Sequence, residues 1–385
     1  MSITKLKSLY LLVLLTYGIL PYGVILFGEV QNIPILTQVL NSGVNSSCLN
    51  EIIIRVLLHG SLVCLFISRF SNKDETTRLP NILGRNLHVP LIFPVALLLF
   101  ITIPLILLSS PVTHYYDVYT RYSHLTGLSS LFISFALRLY RTLLIIVIYY
   151  AFNSKRIYRI LILFLVIFIE NYYSKGSRIF TFLVVLEYVL LHHLLIQKIK
   201  LGQIIFIGLI LISSMTLMEY TRMGSDFELS LPSELGAIIF SAYQICDGGA
   251  LNTTSIMPFY YLVSPILPGR ITEISPFYWY TREYWGNSDF PPFTLGPIAE
   301  SFMYGNYIFI IIYSYLVAII LKFISNVSQK YHYMTLGHFI SIFYTLYIVL
   351  SFKYSILYPN TDIVKSIIPI FVILSIFKIL TFKKI

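Results

Sequence analysis

Runs of about twenty apolar residues follow one another down this chain, and each must find a non-aqueous environment. Ten can be marked, over residues 8–28, 51–69, 90–110, 127–151, 157–173, 178–197, 203–219, 305–324, 334–352 and 363–381. In lipid a backbone N–H or C=O has only its own segment to bond to, so a run of this length folds as a helix that crosses the bilayer. The expected fold is an all-α polytopic membrane protein with about ten transmembrane helices, forming a single integral membrane domain over residues 1–385. Composition agrees. Only 11% of residues are charged and the mean hydropathy is +0.79, against about 25% charged in soluble domains, so no stretch remains for a separate soluble domain. Leu9 to Phe27 exceeds the apolar core of a signal peptide and precedes no small-x-small cleavage site, so it reads as a retained helix.

Basic residues set the orientation. With the N-terminus inside, sixteen Lys and Arg fall in or beside inner loops and eight on the opposite side, several of those in one long loop. The positive-inside rule then places both termini in the cytoplasm and the long loop outside. The net charge of +10 is therefore a topology signal and not a nucleic-acid footprint. Apart from Asp74, Glu75 and Glu187, the acids fall on the outer side. Cys48, Cys64 and Cys246 lack metal or redox spacing. Cys48 and Cys246 share the outer side, where pairing is open to them, but the expectation is that they stay apart.

That long loop, 219–297, is the one extended polar interval. It opens Glu219-Tyr220-Thr221-Arg222 and closes on an aromatic run from Phe277 to Trp285 followed by Pro291-Pro292. Leu235 to Cys246 is apolar but short, which fits an interfacial or re-entrant helix. The aromatic run, with Arg282 and Asp247 near it, reads either as a groove for sugar faces or as an interfacial belt of Trp and Tyr.

Charges inside spans carry a cost of roughly 2.5–3.5 kcal/mol and face a partner or a wet cavity. Arg138 and Arg141, at i and i+3 on one face, would hold a lipid diphosphate or an acidic sugar, or else bridge to Glu170 or Glu187. Lys175-Gly176-Ser177-Arg178 opens a helix whose free N–H groups and basic side chains suit an anion; the alternative is basic residues snorkelling to headgroups. Glu219 and Arg222 are a base and phosphate ligand, or a local ion pair. Glu187 reads as a structural partner, about 180° around its helix from Arg178. Arg55 reads as an outer-end residue able to snorkel. His192 and His193 read as interfacial. No metal-ligand pattern, nucleophile elbow or phosphate-binding loop is present, and residues 219–297 hold no histidine.

Thr294-Leu295-Gly296-Pro297-Ile298-Ala299-Glu300-Ser301-Phe302-Met303-Tyr304-Gly305-Asn306-Tyr307 runs into an apolar helix. This stretch resembles one in bacterial O-antigen polymerases of the Wzy type, and the Lys175–Arg178 turn and the late outer loop resemble that family too. The related O-antigen ligases share the layout, but that resemblance implies a functional loop histidine, which is missing here. The polymerase resemblance implies a GT-C-like, metal-independent membrane glycosyltransferase of the bacterial inner membrane. It needs no cofactor, takes an undecaprenyl-diphosphate-linked oligosaccharide as donor, works among membrane lipids and is partnered by a chain-length regulator protein. It implies Arg178 and Arg222 on the diphosphate with Lys175 assisting, Glu300 or Glu219 as base, and Arg282, Asp247 and Trp285 reading sugars. A lipid-linked oligosaccharide flippase is the rival from another class, favoured by Arg138 and Arg141; a membrane acyltransferase would rest on His338.

Overall fold

The computed structural model describes residues 1–26, 45–71, 80–109, 122, 124–174, 178–198, 202, 233–248, 260–265, 276–285, 295–304, 306–354 and 359–382. Among them the chain is predominantly helical, and the one β contact is an isolated antiparallel bridge between Asn86 and Thr335. The helices are α1 (Ile3–Leu14), α2 (Leu20–Leu26), α3 (Ser46–Ser71), α4 (Ile92–Leu107), α5 (Gly127–Ala151), α6 (Arg156–Ser174), α7 (Arg178–Leu195), α8 (Ser233–Gly248), α9 (Tyr260–Val263), α10 (Pro276–Trp285), α11 (Pro297–Met303), α12 (Tyr307–Lys330), α13 (Leu336–Tyr354), α14 (Pro359–Asp362) and α15 (Ile368–Phe382). Helices stand at nine of the ten expected positions; the run 203–219 lies outside the described residues. Four stretches, Ile3–Ile25, Ser46–Phe70, Gly127–Ala151 and Tyr307–Lys330, are each long and apolar enough to cross a bilayer. The chain is an all-α, multi-pass membrane protein.

Two π-helical segments interrupt the α geometry, at Leu15–Ile19 and Ile363–Ile367. Each ends two residues before a proline, Pro21 and Pro369. A proline ring in an α-helix collides with the carbonyl four residues back, here Tyr17 or Lys365, and offers it no N–H. Widening that turn relieves the collision, and the N–H groups of Leu20 and Ile368 bond five residues back to Leu15 and Ile363.

The chain divides into two compact units. One comprises Met1–Gly84, Glu228–Tyr333 and Ile340–Thr361. Its axis is the pairing of α3 with α12, with α1 laid against both. Gly18 permits that closeness, since a Cβ there would sit 2.9 Å from Val56 Cγ1. A buried polar thread crosses the three helices. Tyr10 Oη lies 2.6 Å from His59 Nε2, and His59 Nδ1 lies 2.7 Å from Ser314 Oγ. The Ser314 hydroxyl gives its proton to Ile310 O, so it accepts from the His59 Nδ1–H and leaves Nε2 to accept from Tyr10. At the other end of α12 the Met1 amino group donates to Ser328 Oγ at 2.6 Å, and Lys322 Nζ donates to Phe70 O at 3.3 Å.

The second unit comprises Arg85–Phe227, Met334–Phe339 and Asp362–Ile385. Its centre is α5, which packs against α4, α6, α7 and the second π segment. From Leu143 to Ala151 every residue of α5 is buried, as a helix apolar on all sides requires. Phe100 of α4 and Phe168 of α6 are instead 72% and 67% exposed, faces that suit lipid. Tyr149 and Tyr150 fasten the ends of two segments. Tyr150 donates to Leu87 O at 2.6 Å, and Met334 N–H donates to Tyr149 Oη at 3.0 Å. Met334 has φ +67 and is held there from both sides, since its carbonyl also accepts from Leu87 N–H at 2.8 Å. His338, the acyltransferase candidate, stands in this packed corner with its Nδ1 3.1 Å from Tyr149 Oη.

Candidate functional site

The short helix α11 and the turn after it build a closely connected polar corner of the first unit. Pro297 starts α11 at a position where its missing N–H is no loss. Every residue from Pro297 to Ser301 is buried, and Glu300 is 2% exposed. The helix packs on α8, α3 and α12. It ends at Tyr304, whose N–H bonds Glu300 O, and the chain turns into α12 through Asn306, whose N–H bonds Ser301 O. Asn306 has φ +64, a left-handed conformation that a non-glycine residue keeps only when its surroundings impose it.

What imposes it is Arg55, delivered by α3. Arg55 is 3% exposed. Its Nη1 donates to Ser301 Oγ at 2.8 Å, its Nη2 donates to Asn306 Oδ1, and its Nε donates to Glu51 Oε2 at 3.4 Å. The Phe302 ring lies 3.6 Å from the guanidinium carbon and the Tyr307 ring 4.8 Å from it. Tyr307 then donates its hydroxyl to the same Glu51 oxygen at 2.6 Å. The guanidinium fork suits this arrangement, since it serves three acceptors in a plane while its faces remain open to rings. Arg55 therefore does not snorkel: it is the buried tie between α3 and the 301–307 turn. Glu51, whose side chain is 40% exposed, is the accessible end of the cluster. The i,i+4 spacing of Glu51 and Arg55 was the one local signal of it.

A second set of contacts fixes α8 to the start of α3. Cys48 and Cys246 form a disulfide, which corrects the expectation of separate thiols. Asn45 Nδ2 donates to Asp247 Oδ1 at 2.9 Å, and Asn45 N–H donates to Tyr243 Oη at 2.9 Å. The Tyr280 hydroxyl of α10 donates to Gln244 Oε1 of α8. In the aromatic run, Trp279 and Tyr280 are core residues, 2% and 0% exposed. A Cβ on Gly248 would meet Tyr284 Cε1 at 3.0 Å. Burial, with the Glu283 carboxylate beside it, raises the Tyr284 phenol above its ordinary range.

The expected site residues are distributed as follows. Glu300, Asp247 and Arg282 belong to the first unit. Glu300 is buried, Asp247 is bonded to Asn45, and Arg282 is exposed with its Nη2 3.5 Å from Glu283. Arg138, half-buried, and Arg141, exposed, lie on α5 in the second unit. The alternative bridge from these arginines to Glu187 is not made: Glu187 is 0% exposed and neither carboxylate oxygen has a hydrogen-bond partner. The reading of Glu187 as a structural partner is overturned with it. The backbones of Arg178 and Trp285 are helical, but their side chains, and Lys175, Glu219 and Arg222 entirely, lie outside the described residues.

Among the described residues of the first unit, two buried donors lack hydrogen-bond partners, the Tyr304 hydroxyl and Trp279 Nε1. Burial and the neighbouring Glu300 carboxylate both push the Tyr304 phenol well above its ordinary range. Among the described residues no group of three His, Cys, Asp or Glu side chains is placed to hold a metal ion. No protein-family model, no curated protein and no solved structure matches this chain.

Proposed function

We propose that the chain is a membrane glycosyltransferase that polymerises lipid-linked O-antigen repeat units. It would transfer the growing glycan from undecaprenyl diphosphate to the next repeat unit at the periplasmic face of the bacterial inner membrane. The observation that carries the reading is the Glu300 corner. The segment on which the resemblance to O-antigen polymerases rests is buried and pinned by Arg55, inside a multi-pass helical protein whose basic residues favour cytoplasmic termini. The full topology in this reading has ten spans in a GT-C-like arrangement, with 219–297 as the periplasmic loop.

The chemistry asks for two things. Negative charge develops on the diphosphate as the glycosidic bond breaks and is stabilised by fixed donors; Arg178 and Arg222, with Lys175, fill that role. The acceptor hydroxyl must be aligned on the anomeric carbon and lose its proton; Glu300 or Glu219 receives it. Arg282 and Trp285 contact sugars. Asp247, exposed and bonded to Asn45 through one oxygen, contacts sugar through the other. The charge being met by guanidinium groups, the mechanism calls for no metal. A chain-length regulator protein is the partner that fits.

The test is the surface lipopolysaccharide of the source cell after the gene is deleted. A core carrying one repeat unit without a ladder supports the polymerase, and complementation with Arg178→Ala shortens or abolishes the restored ladder. Bare core points to flippase or ligase instead. The flippase has one observation of its own, the half-buried Arg138 on a helix that also exposes Arg141. An unchanged ladder removes the pathway altogether.

A further inference from the structure

An orphaned hydroxyl marks a contact that the fold itself does not use. A buried O–H without an acceptor loses about 1–3 kcal/mol of hydration for no return, and Phe has the same shape without that loss. Tyr304 is such a residue. Its hydroxyl is buried and unpartnered, while its ring is packed against Phe309, with centroids 5.6 Å apart, and Phe309 stacks in turn on Tyr313 at 5.9 Å. Tyr304 follows Glu300 by one helical turn, and its N–H bonds the Glu300 carbonyl, so the two residues stand next to one another on the same end of α11. The position is fixed from below by the Arg55 ties to Ser301 and Asn306. A rigidly held donor beside a carboxylate acceptor is the pairing that recognises an alcohol, which both accepts and donates.

We propose that Tyr304 and Glu300 together bind one hydroxyl group of the acceptor sugar, the Tyr304 O–H donating to the sugar oxygen and the Glu300 carboxylate accepting the sugar proton. This rests on the polymerase reading and adds a substrate-touching residue to it. In the transfer step the sugar oxygen forms the new bond to the anomeric carbon, the bond from that carbon to the diphosphate oxygen breaks with its electron pair leaving on the diphosphate, and the sugar proton passes to Glu300. Trp279 Nε1, also a buried donor without a partner and 2% exposed, is not needed for this pair.

The experiment compares deletion, wild-type complementation and Tyr304→Phe complementation in the source cell, with each protein also purified in detergent for thermal unfolding. The expected result is a Tyr304→Phe protein as stable as wild type or more so, with polymerised repeat units reduced about tenfold or further. Glu300→Gln, which keeps the shape, accumulates normally and lowers polymer at least as far. A wild-type ladder from Tyr304→Phe, where deletion has abolished the ladder, overturns this proposal and leaves the polymerase standing. A clear loss of stability in Tyr304→Phe also overturns it, because the hydroxyl would then belong to the fold. A ladder that survives deletion overturns the polymerase reading and this proposal together.

Discussion

Arg55 and Glu187 are both ionisable side chains set in apolar helices, and both are removed from solvent, at 3% and 0% exposure. Their surroundings are opposite. Arg55 donates hydrogen bonds to three acceptors and packs rings around its guanidinium. Glu187 has no hydrogen-bond partner for either oxygen. Burial alone therefore says little about what a charged residue contributes; the partners decide its sign. A satisfied ion holds a fold together because removing it strands everything it served. An unsatisfied one is tolerated by the fold, and replacing it with an apolar group of similar volume relieves a cost.

The largest expected effect is at Arg55. Arg55→Ala removes three hydrogen bonds from a charged donor at once, together with the ring packing, and should cost about 3–5 kcal/mol, read as lost thermal stability in detergent. Arg55→Lys should fall between that variant and wild type, because an ammonium cannot serve three acceptors from one plane. Arg55→Ala with wild-type stability would collapse the contrast. Next comes the Cys48–Cys246 bond, which closes a separation of 198 residues. Replacing both cysteines with Ser should cost about 2–4 kcal/mol, and a bulky maleimide should label Cys48 and Cys246 only after reduction. A purely apolar control lies at Gly18. Gly18→Ala drives a methyl into Val56 and should cost about 1–3 kcal/mol, measured the same way. The smallest effect is reserved for Glu187. Glu187→Leu should change stability by less than about 1 kcal/mol or raise it; a loss like that of Arg55→Ala would mean that Glu187 has a partner after all.

Legibility in the sequence followed the range of the interaction. A span announces itself within twenty residues, so helices appeared close to their expected bounds, Gly127–Ala151 at 127–151 and Arg178–Leu195 at 178–197. Arg55 was misread because Ser301 and Asn306 lie 246 and 251 residues away, and nothing near Arg55 except Glu51 hinted at them. Asn306 stands inside the 294–307 stretch, but its positive φ is set by contacts with Arg55 and Ser301 that the local sequence does not announce. The disulfide left only a weak trace, two cysteines on one expected side. The tie of Asp247 to Asn45 spans 202 residues, and nothing in the local sequence announces it. Glu300 stands out in the sequence as a candidate because its motif is local; the orphaned hydroxyl of Tyr304 does not, since lacking a partner is a property of three-dimensional packing.

The π turn at Leu15–Ile19 has a consequence for how a helix addresses its neighbours. One extra residue in a turn advances the phase of everything beyond it by about 100°, the angle between successive α-helical residues. Ahead of the turn α1 faces α3 and α12, and beyond it α2 faces α8. A single wheel drawn through residues 3–26 would therefore mix two faces. Pro21 works as a phase shifter: the segments on either side of the π turn address different sets of partners.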